Sequence, residues 1–356
     1  MNAMLLAAGT GQRMLPLTEA LPKAAIPVLG RPMAVQILRK LGAAGITDVV
    51  VNLHHLPDVV REVIAKHDGP ALPRVRYSME EAIRGTAGAL RLAASRLRGS
   101  GTIVVTNSDF LTDVDVRAAI EAHRAGGFPA TVVLTTWRPG YAAVEVDRNG
   151  RVLSLAGEPE ADPALVSGRF LFTGLHCMEE EVLDRIPEGF PSGIVTHVYR
   201  DLAREGRLGS WVHEGFWWEF GSPRLYLDGS LALLRLDGRA RIAVSEEHDA
   251  VLDIGPARIS VGAGARWHDS ARIRGHVALG LASRVEKRVG IEDSVVMPEA
   301  WVGPDCLLRR CVVGQGIEVP AGFRAENVLL CANPDPDREP AAGSPRLNGL
   351  LVHSLR

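Results

Sequence analysis

A short apolar run, Leu5-Leu6-Ala7-Ala8, opens into Gly9-Thr10-Gly11. Two cations follow, Arg13 and Lys23, with Pro16-Leu17-Thr18 and Pro22 between them. Glycines after a buried strand let backbone N–H groups approach an anion with no Cβ in the way. The Lys-Ser/Thr pair of a Walker loop is absent, and so is the third glycine of a dinucleotide fingerprint. A glycine loop with two cations in one short stretch suits a triphosphate better than a nicotinamide dinucleotide. Other residues that invite a site are weaker. His54-His55 has no Cys or carboxylate cluster spaced to complete a metal centre, so a strand-to-helix turn is expected there. Trp217-Trp218 is expected in a core.

The elements that must position this loop are readable as alternation. Apolar runs at 4–8, 49–53, 75–78, 103–106 and 130–135 predict strands. Amphipathic stretches at 34–44, 57–67, 87–97 and 114–125 predict helices between them. Such alternation implies βαβ units and a largely parallel sheet. Asn149-Gly150 predicts a hairpin joining strands at 143–147 and 151–155, and helices return at 179–185, 193–205 and 224–236. From about residue 251 the period becomes six. Val261, Trp267, Ile273, Leu279, Val285, Ile291 and Met297 form one series. Ala265, Ala271, Val277, Ser283, Val289, Val295 and Trp301 form a second, smaller one. Seven consecutive hexads predict a parallel β-helix, whose short strands bury their apolar sides only by stacking. The register is expected to slip near Val302-Gly303. Trp301, bulky for a small coil, is expected to point outward, and Val295, Met297, Trp301 and Val302 form the most apolar stretch. The alternative is that Trp301 caps the coil against the first domain. His268 and His276 lie in the repeats with no assignable partner, which argues against acyl transfer there.

The chain has 356 residues, 46% apolar and 23% charged. That composition excludes a disordered chain, a collagen and a coiled-coil rod, and the length predicts two domains. A net charge of −2 marks no nucleic-acid binder. Cys177, Cys306, Cys311 and Cys331 make no Cys-x-x-Cys pair, so buried thiols in a reducing compartment are expected. No apolar run has the length of a membrane span, and the apolar start lacks a basic leader. A cytoplasmic protein is expected.

Residues 5–18 and 22–23 resemble the opening motif of the sugar-1-phosphate nucleotidyltransferases, the NDP-sugar pyrophosphorylases, with Gln12 where that motif usually has Thr. In the family's order, Gly85-Thr86-Ala87-Gly88 resembles its nucleobase loop and Asn107-Ser108-Asp109 its first metal motif. Phe172-Thr173-Gly174 resembles the sugar-contacting strand, and Trp218-Glu219-Phe220-Gly221-Ser222-Pro223 the second metal motif. The hexapeptide tail is shared by members that include mannose-1-phosphate guanylyltransferases. The resemblance implies an α/β fold: a Rossmann-like, mostly parallel sheet with flanking helices, followed by a left-handed parallel β-helix. The expected divisions are a catalytic domain at 1–236, linker and coil at 237–331, and a proline-rich tail at 332–356, whose apolar residues 350–352 are candidates for docking.

The implied reaction is attack of a sugar-1-phosphate oxygen on the α-phosphorus of a nucleoside triphosphate, with pyrophosphate leaving. Arg13, Lys23 and Asp109 are the expected catalytic residues. Arg13, with its bidentate fork, suits the β- and γ-phosphates, and Lys23 the α-phosphate and sugar phosphate. Leu6, Ala7, Ala8, Gly9, Thr10, Gly11, Glu80, Gly85, Thr86 and Ala87 are expected at the nucleotide, and Glu158 and Gly174 at the sugar. Asp109 and Glu219 are the expected Mg²⁺ ligands, since Mg²⁺ takes one or two carboxylates with phosphate and water oxygens. The alternative for Asp109 is a helix N-cap. Two departures stand out: Glu219 replaces the usual Asp, and Glu158-Pro159 lacks the lysine of the family's Glu-Lys-Pro. Glu80, with Glu81 one position along, is a candidate base reader. A carboxylate pairs with guanine's adjacent N1–H and N2–H donors, which favours GTP. GTP with mannose-1-phosphate is the first reading. A uridylyl- or thymidylyltransferase on another hexose-1-phosphate is the second, and a regulatory paralogue that binds NDP-sugar the third. A homo-oligomer assembled through residues 251–330 is expected.

Overall fold

The structure, a computed structural model, describes residues 1–245, 250–332 and 349–355. Most of the 332–356 tail, residues 333–348, lies outside the described residues. The chain divides into two compact units. The first comprises Met1–Thr10, Pro22–Ala25 and Met33–Trp217, and the second Gly11–Leu21, Ile26–Pro32 and Trp218–Arg356.

In the first unit the strands are β1 (Asn2–Leu6), β2 (Asp48–Leu53), β3 (Arg74–Met79), β4 (Thr102–Asn107), β5 (Ala130–Thr136), β6 (Ala143–Val146), β7 (Val152–Leu155), β8 (Gly168–Glu179) and β9 (Leu208–Val212). They form one mixed sheet in the order β7-β6-β8-β4-β1-β2-β3, with β5 between β8 and β9. β4, β1, β2 and β3 run parallel, as the alternation predicts, and β8 runs antiparallel to β4, β5 and β6. Helices α1 (Met33–Ala43), α2 (Pro57–Ala65), α3 (Gly85–Leu97) and α4 (Val116–Gly126) connect the parallel strands. The parallel strands are buried on both faces and so read as continuous apolar runs. Val49, Val50, Val51, Ile103, Val104 and Val105 are all 2% exposed or less. Asn149-Gly150 turns the β6–β7 hairpin, with Gly150 at φ 76°. Helix α5 (Arg200–Arg204) follows a π-turn over Val195–Tyr199. Asp115, not Asp109, caps α4 by accepting from Ala118 N (3.1 Å). Asp109 is therefore not used as a helix cap.

The second unit is built on the coil. Arg266 stacks on Arg284, Arg284 on Trp301, and Trp301 on Glu318, all in parallel register. The expected slip occurs earlier than the hexads indicate. Inward residues step by six through Val277, Ser283 and Val289, then by five to Ser294, then by six to Ala300 and Cys306. The ladder is bulged there. Gly275 (φ 62°) is the surplus residue of the lower coil, and Asp293 Oδ1 accepts from His276 N (2.9 Å) above it. That bond uses the backbone amide of His276, whose ring Nδ1 lies 3.7 Å from Asp293 Oδ1. The earlier slip moves Val296 and Val302 inward and Trp301 outward. Val295, Met297 and Val302, which with Trp301 form the most apolar stretch, are 4%, 1% and 0% exposed.

Helix α6 (Pro223–Arg235) starts at Ser222, whose hydroxyl accepts from Leu225 N (3.2 Å), with Pro223 at its first position. It packs against the coil strands at 257–261, 272–279 and 290–296. Leu227, Leu231 and Leu234 form its buried stripe. Arg310 pairs with Asp228 (2.5 Å), and Arg258 NH1 donates to Leu234 O and Leu236 O. Strands Ala250–Ile254 and Leu350–Ser354 run antiparallel to their coil neighbours and cover the two edges of that face. The final apolar residues therefore do dock, as the last strand.

Candidate active site

In the first unit the glycine loop leaves β1 at the carboxyl end of the parallel strands, where α/β sheets bind ligands. A neighbouring strand holds it in place. Asn52, at 4% exposure, accepts from Ala7 N (2.7 Å) and donates to Glu80 Oε1 (2.7 Å). Glu80 Oε2 accepts from Arg84 N (2.9 Å), and Glu80 O bonds the His54 ring (2.8 Å). Glu80 is 3% exposed, so both oxygens of the candidate base reader are engaged in tying the glycine loop to the 84–88 loop. Sequence reasoning missed Asn52 altogether. An asparagine inside an apolar strand was the available signal, because a buried amide must find partners.

The Gly85-Thr86-Ala87-Gly88 loop hangs on Ser192. Ala87 N and Gly88 N donate to Ser192 O (2.9 and 3.3 Å), and Thr86 Oγ1 accepts from Ile194 N (2.8 Å). Gly85 is at φ 71°, and a Cβ there would lie 2.5 Å from Ser192 O. Ser108 N donates to Leu6 O (3.2 Å), which joins the Asn-Ser-Asp segment to the glycine loop. Beside it Lys23 Nζ donates to Asp109 Oδ2 (2.7 Å). Gly174 is at φ 88°, and a Cβ there would lie 2.7 Å from Asn107 Nδ2. The first unit thus gathers Leu6, Ala7, Lys23, Glu80, Asp109 and Gly174 into linked contacts. Glu158 stands apart from them: its carboxylate pairs with Arg200 NH1 (2.7 Å). A cation therefore does stand beside Glu158. It comes from α5, remote in sequence, so no motif reveals it.

In the second unit Gly11 (φ 66°) starts a turn in which Met14 N and Thr18 Oγ1 both donate to Gly11 O (each 2.8 Å). A Cβ at Gly11 would lie 2.7 Å from Thr18 Cγ2, whereas one at Gly9, in the first unit, would meet nothing within 4 Å. Gly11 serves the chain's own packing, and Gly9 leaves an open backbone. Arg13 NH2 donates to Glu219 Oε1 (2.7 Å). A Cβ at Gly221 would lie 2.4 Å from that same oxygen, so the glycine makes room for the glutamate.

The donor chemistry fits a hard divalent cation. Asp109 Oδ1 and Glu219 Oε2 make no hydrogen bond among the described residues. The described residues contain no cluster of three or more His, Cys, Asp or Glu able to hold a metal.

Residues 2–235 match the Nucleotidyl transferase family model. The chain belongs to the nucleotidyl transferase family. Residues 255–327 match the model of the GlmU-like C-terminal hexapeptide. Among curated relatives of this nucleotidyl transferase is the mannose-1-phosphate guanyltransferase of Aspergillus oryzae, 29% identical over 93% of this chain and 90% of that one. Its counterpart in Emericella nidulans is also 29% identical, with the same coverage. The enzyme of that name in Debaryomyces hansenii is 31% identical over 66% of this chain and 65% of its own. No helix among the described residues of the transferase is long and apolar enough to cross a membrane.

Proposed function

We propose that this chain transfers a guanylyl group from GTP to mannose-1-phosphate, forming GDP-mannose and releasing pyrophosphate. The observation that carries the reading is the set of mannose-1-phosphate guanyltransferases aligned across 93% of the chain. The pairs Lys23–Asp109 in the first unit and Arg13–Glu219 in the second support it chemically. A sugar-phosphate oxygen attacks the α-phosphorus in line, and the bond to the bridging oxygen of pyrophosphate breaks. Little covalent work falls to the protein; it must hold two anions together and neutralise charge. Gly9 lets the backbone approach the triphosphate. Arg13, 68% exposed on its side chain, is held through one NH2 and keeps its other donors for the β- and γ-phosphates. Exposed ion pairs are weak, so a triphosphate competes easily for that arginine. Lys23 lies lower, at 14%, and serves the α-phosphate and sugar phosphate. Asp109 and Glu219 would each offer carboxylate oxygen to Mg²⁺, which when bound would offset the charge of the phosphates. Preference for guanine rests on the relatives and not on Glu80, whose oxygens hold the loops.

The chain works in the cytoplasm, in keeping with four free, buried cysteines. It associates with copies of itself through the coil. A pyrophosphate-release screen of GTP, UTP, dTTP, CTP and ATP against sugar-1-phosphates tests the reaction. The fastest release is expected from GTP with mannose-1-phosphate in Mg²⁺. Faster release from UTP or dTTP overturns the base, and none from any pair overturns the enzyme. Asp109→Asn is expected to abolish release with circular dichroism unchanged, because it keeps the shape and loses the charge.

A further inference from the structure

In the first unit Lys23 Nζ and Asp109 Oδ2 stand 2.7 Å apart, with side chains only 14% and 24% exposed. Among the described residues Asp109 is the one partner of that ammonium. The carboxylate is fixed by backbone. It follows β4, where Asn107 lies beside Leu6 in the parallel ladder and Ser108 N donates to Leu6 O (3.2 Å). The ammonium is the movable member. It ends a flexible four-carbon stem that leaves a short turn, Lys23–Ala25, anchored by buried Ala24 and Ala25. The second unit holds a pair of the same kind, Arg13 NH2 with Glu219 Oε1 (2.7 Å). In each pair a cation suited to phosphate neutralises a carboxylate suited to metal. Each carboxylate's second oxygen makes no hydrogen bond among the described residues.

We infer that Lys23 guards Asp109, so that a divalent metal and a phosphate each bind weakly alone and strengthen each other's binding. Resting on the roles given to Lys23 and Asp109 above, the guard adds a coupling between them. Two ion contacts are exchanged for two. The pairs Lys23–carboxylate and metal–phosphate become Lys23–phosphate and metal–carboxylate, with no net charge created and no proton moved. A metal that comes alone meets a carboxylate already neutralised. Binding it leaves the Lys23 ammonium without a partner in a partly buried place, which is costly. A phosphate that comes alone meets a cation already neutralised, and binding it strips Asp109 in the same way. Each ligand removes the penalty that the other meets, and the coupling is reciprocal by linkage. The metal therefore arrives with the substrate and is not retained by the free protein.

Plain repulsion between Lys23 and the metal is the rival account, and it predicts a different result. If the charges act pairwise, removing Lys23 raises metal affinity by one factor whether or not phosphate is bound. The effect of phosphate on the metal then stays as it was. Under exchange, most of that effect disappears with the lysine. Mn²⁺ is titrated into the full chain and the free ion followed by electron paramagnetic resonance. Methyl phosphate, the simplest phosphate monoester, serves as the anion, and no nucleotide is present, so nothing turns over. Saturating methyl phosphate is expected to lower the wild-type Mn²⁺ dissociation constant at least about tenfold. Lys23→Met is expected to bind Mn²⁺ alone at least about tenfold more tightly than wild type, with a phosphate effect under about threefold. Lys23→Gln, which keeps a donor and loses the charge, is expected to do the same. A phosphate effect equal in wild type and both variants overturns the inference, and so does a wild type whose Mn²⁺ binding ignores methyl phosphate. Asp109→Asn separates that failure from failure of the site reading. If it binds Mn²⁺ as wild type does, Asp109 is no metal ligand and both fall. If it loses Mn²⁺ while the lysine variants keep the full phosphate effect, the guard alone falls. Unchanged circular dichroism spectra confirm that the variants are folded.

Discussion

At Glu80 the residue type pointed to one role and the neighbours show another. A carboxylate ahead of the base loop suggested guanine recognition, yet its two oxygens accept from Asn52 Nδ2 and Arg84 N. A substitution separates the two roles. Glu80→Gln sets an NH2 group against one of two donors inside a buried site. Leaving such a group unsatisfied costs about 1–3 kcal/mol. Chemical denaturation is expected to show a loss of that size, with a higher KM for every nucleotide alike. A variant of unchanged stability that switches base preference would instead identify Glu80 as a direct reader of the base. The Arg200–Glu158 pair teaches the same lesson in the other direction. A cation that the motif lacks is present, but only the fold carries it there.

Strand β8 carries Gly174, one of the two residues proposed at the sugar. Its pairing with β5 shifts between Phe172 and His176, and Gly174 sits in that irregularity at φ 88°. Thr173 Oγ1 fastens the bulge by donating to Val133 O (2.8 Å). Bulges re-aim a strand next to a site. Gly174→Ala adds a Cβ that would lie 2.7 Å from Asn107 Nδ2, in a backbone region that costs an L-residue about 1–2 kcal/mol. The expected result is a lower melting temperature together with a kcat loss larger than the change in KM, because Asn107 leads directly to Asp109. Unchanged kcat would detach β8 from the chemistry.

Two expectations belong to the whole molecule. Burial pushes the His176 imidazole from 6.5 down to about 3, and burial lowers His123 as well. Below pH 6.5 the unfolded chain takes up a proton that folded His176 refuses. The stability present above that pH is therefore lost as pH falls toward 3. Denaturation midpoints are expected to fall steadily from pH 6.5 to 4, and less steeply in His176→Phe. Equal slopes would assign the acid sensitivity to other groups. The second expectation concerns a chain cut after Leu236. Such a cut removes the coil on which α6 packs and uncovers Leu227, Leu231 and Leu234. The fragment is expected to bind a hydrophobic dye strongly and to aggregate, while the full chain does neither.

The α/β alternation, the hexads, the Asn-Gly hairpin and the motif glycines were legible in the sequence, because each is a local pattern with a local cause. Apolar period, turn chemistry and positive φ act within a few residues. What the sequence left open depends on residues far apart. The coil's register slips by one residue where Gly275 meets Asp293 of the next coil, a contact that no hexad count contains. That slip, and not the plain hexad count, places Val296 and Val302 in the core of the coil. Asn52 linking Ala7 to Glu80, and Arg200 reaching Glu158, are likewise made by side chains brought together from separate elements. Hydrogen bonds and ion pairs act over a few ångströms in space whatever the distance along the chain, so only the tertiary structure assigns their partners.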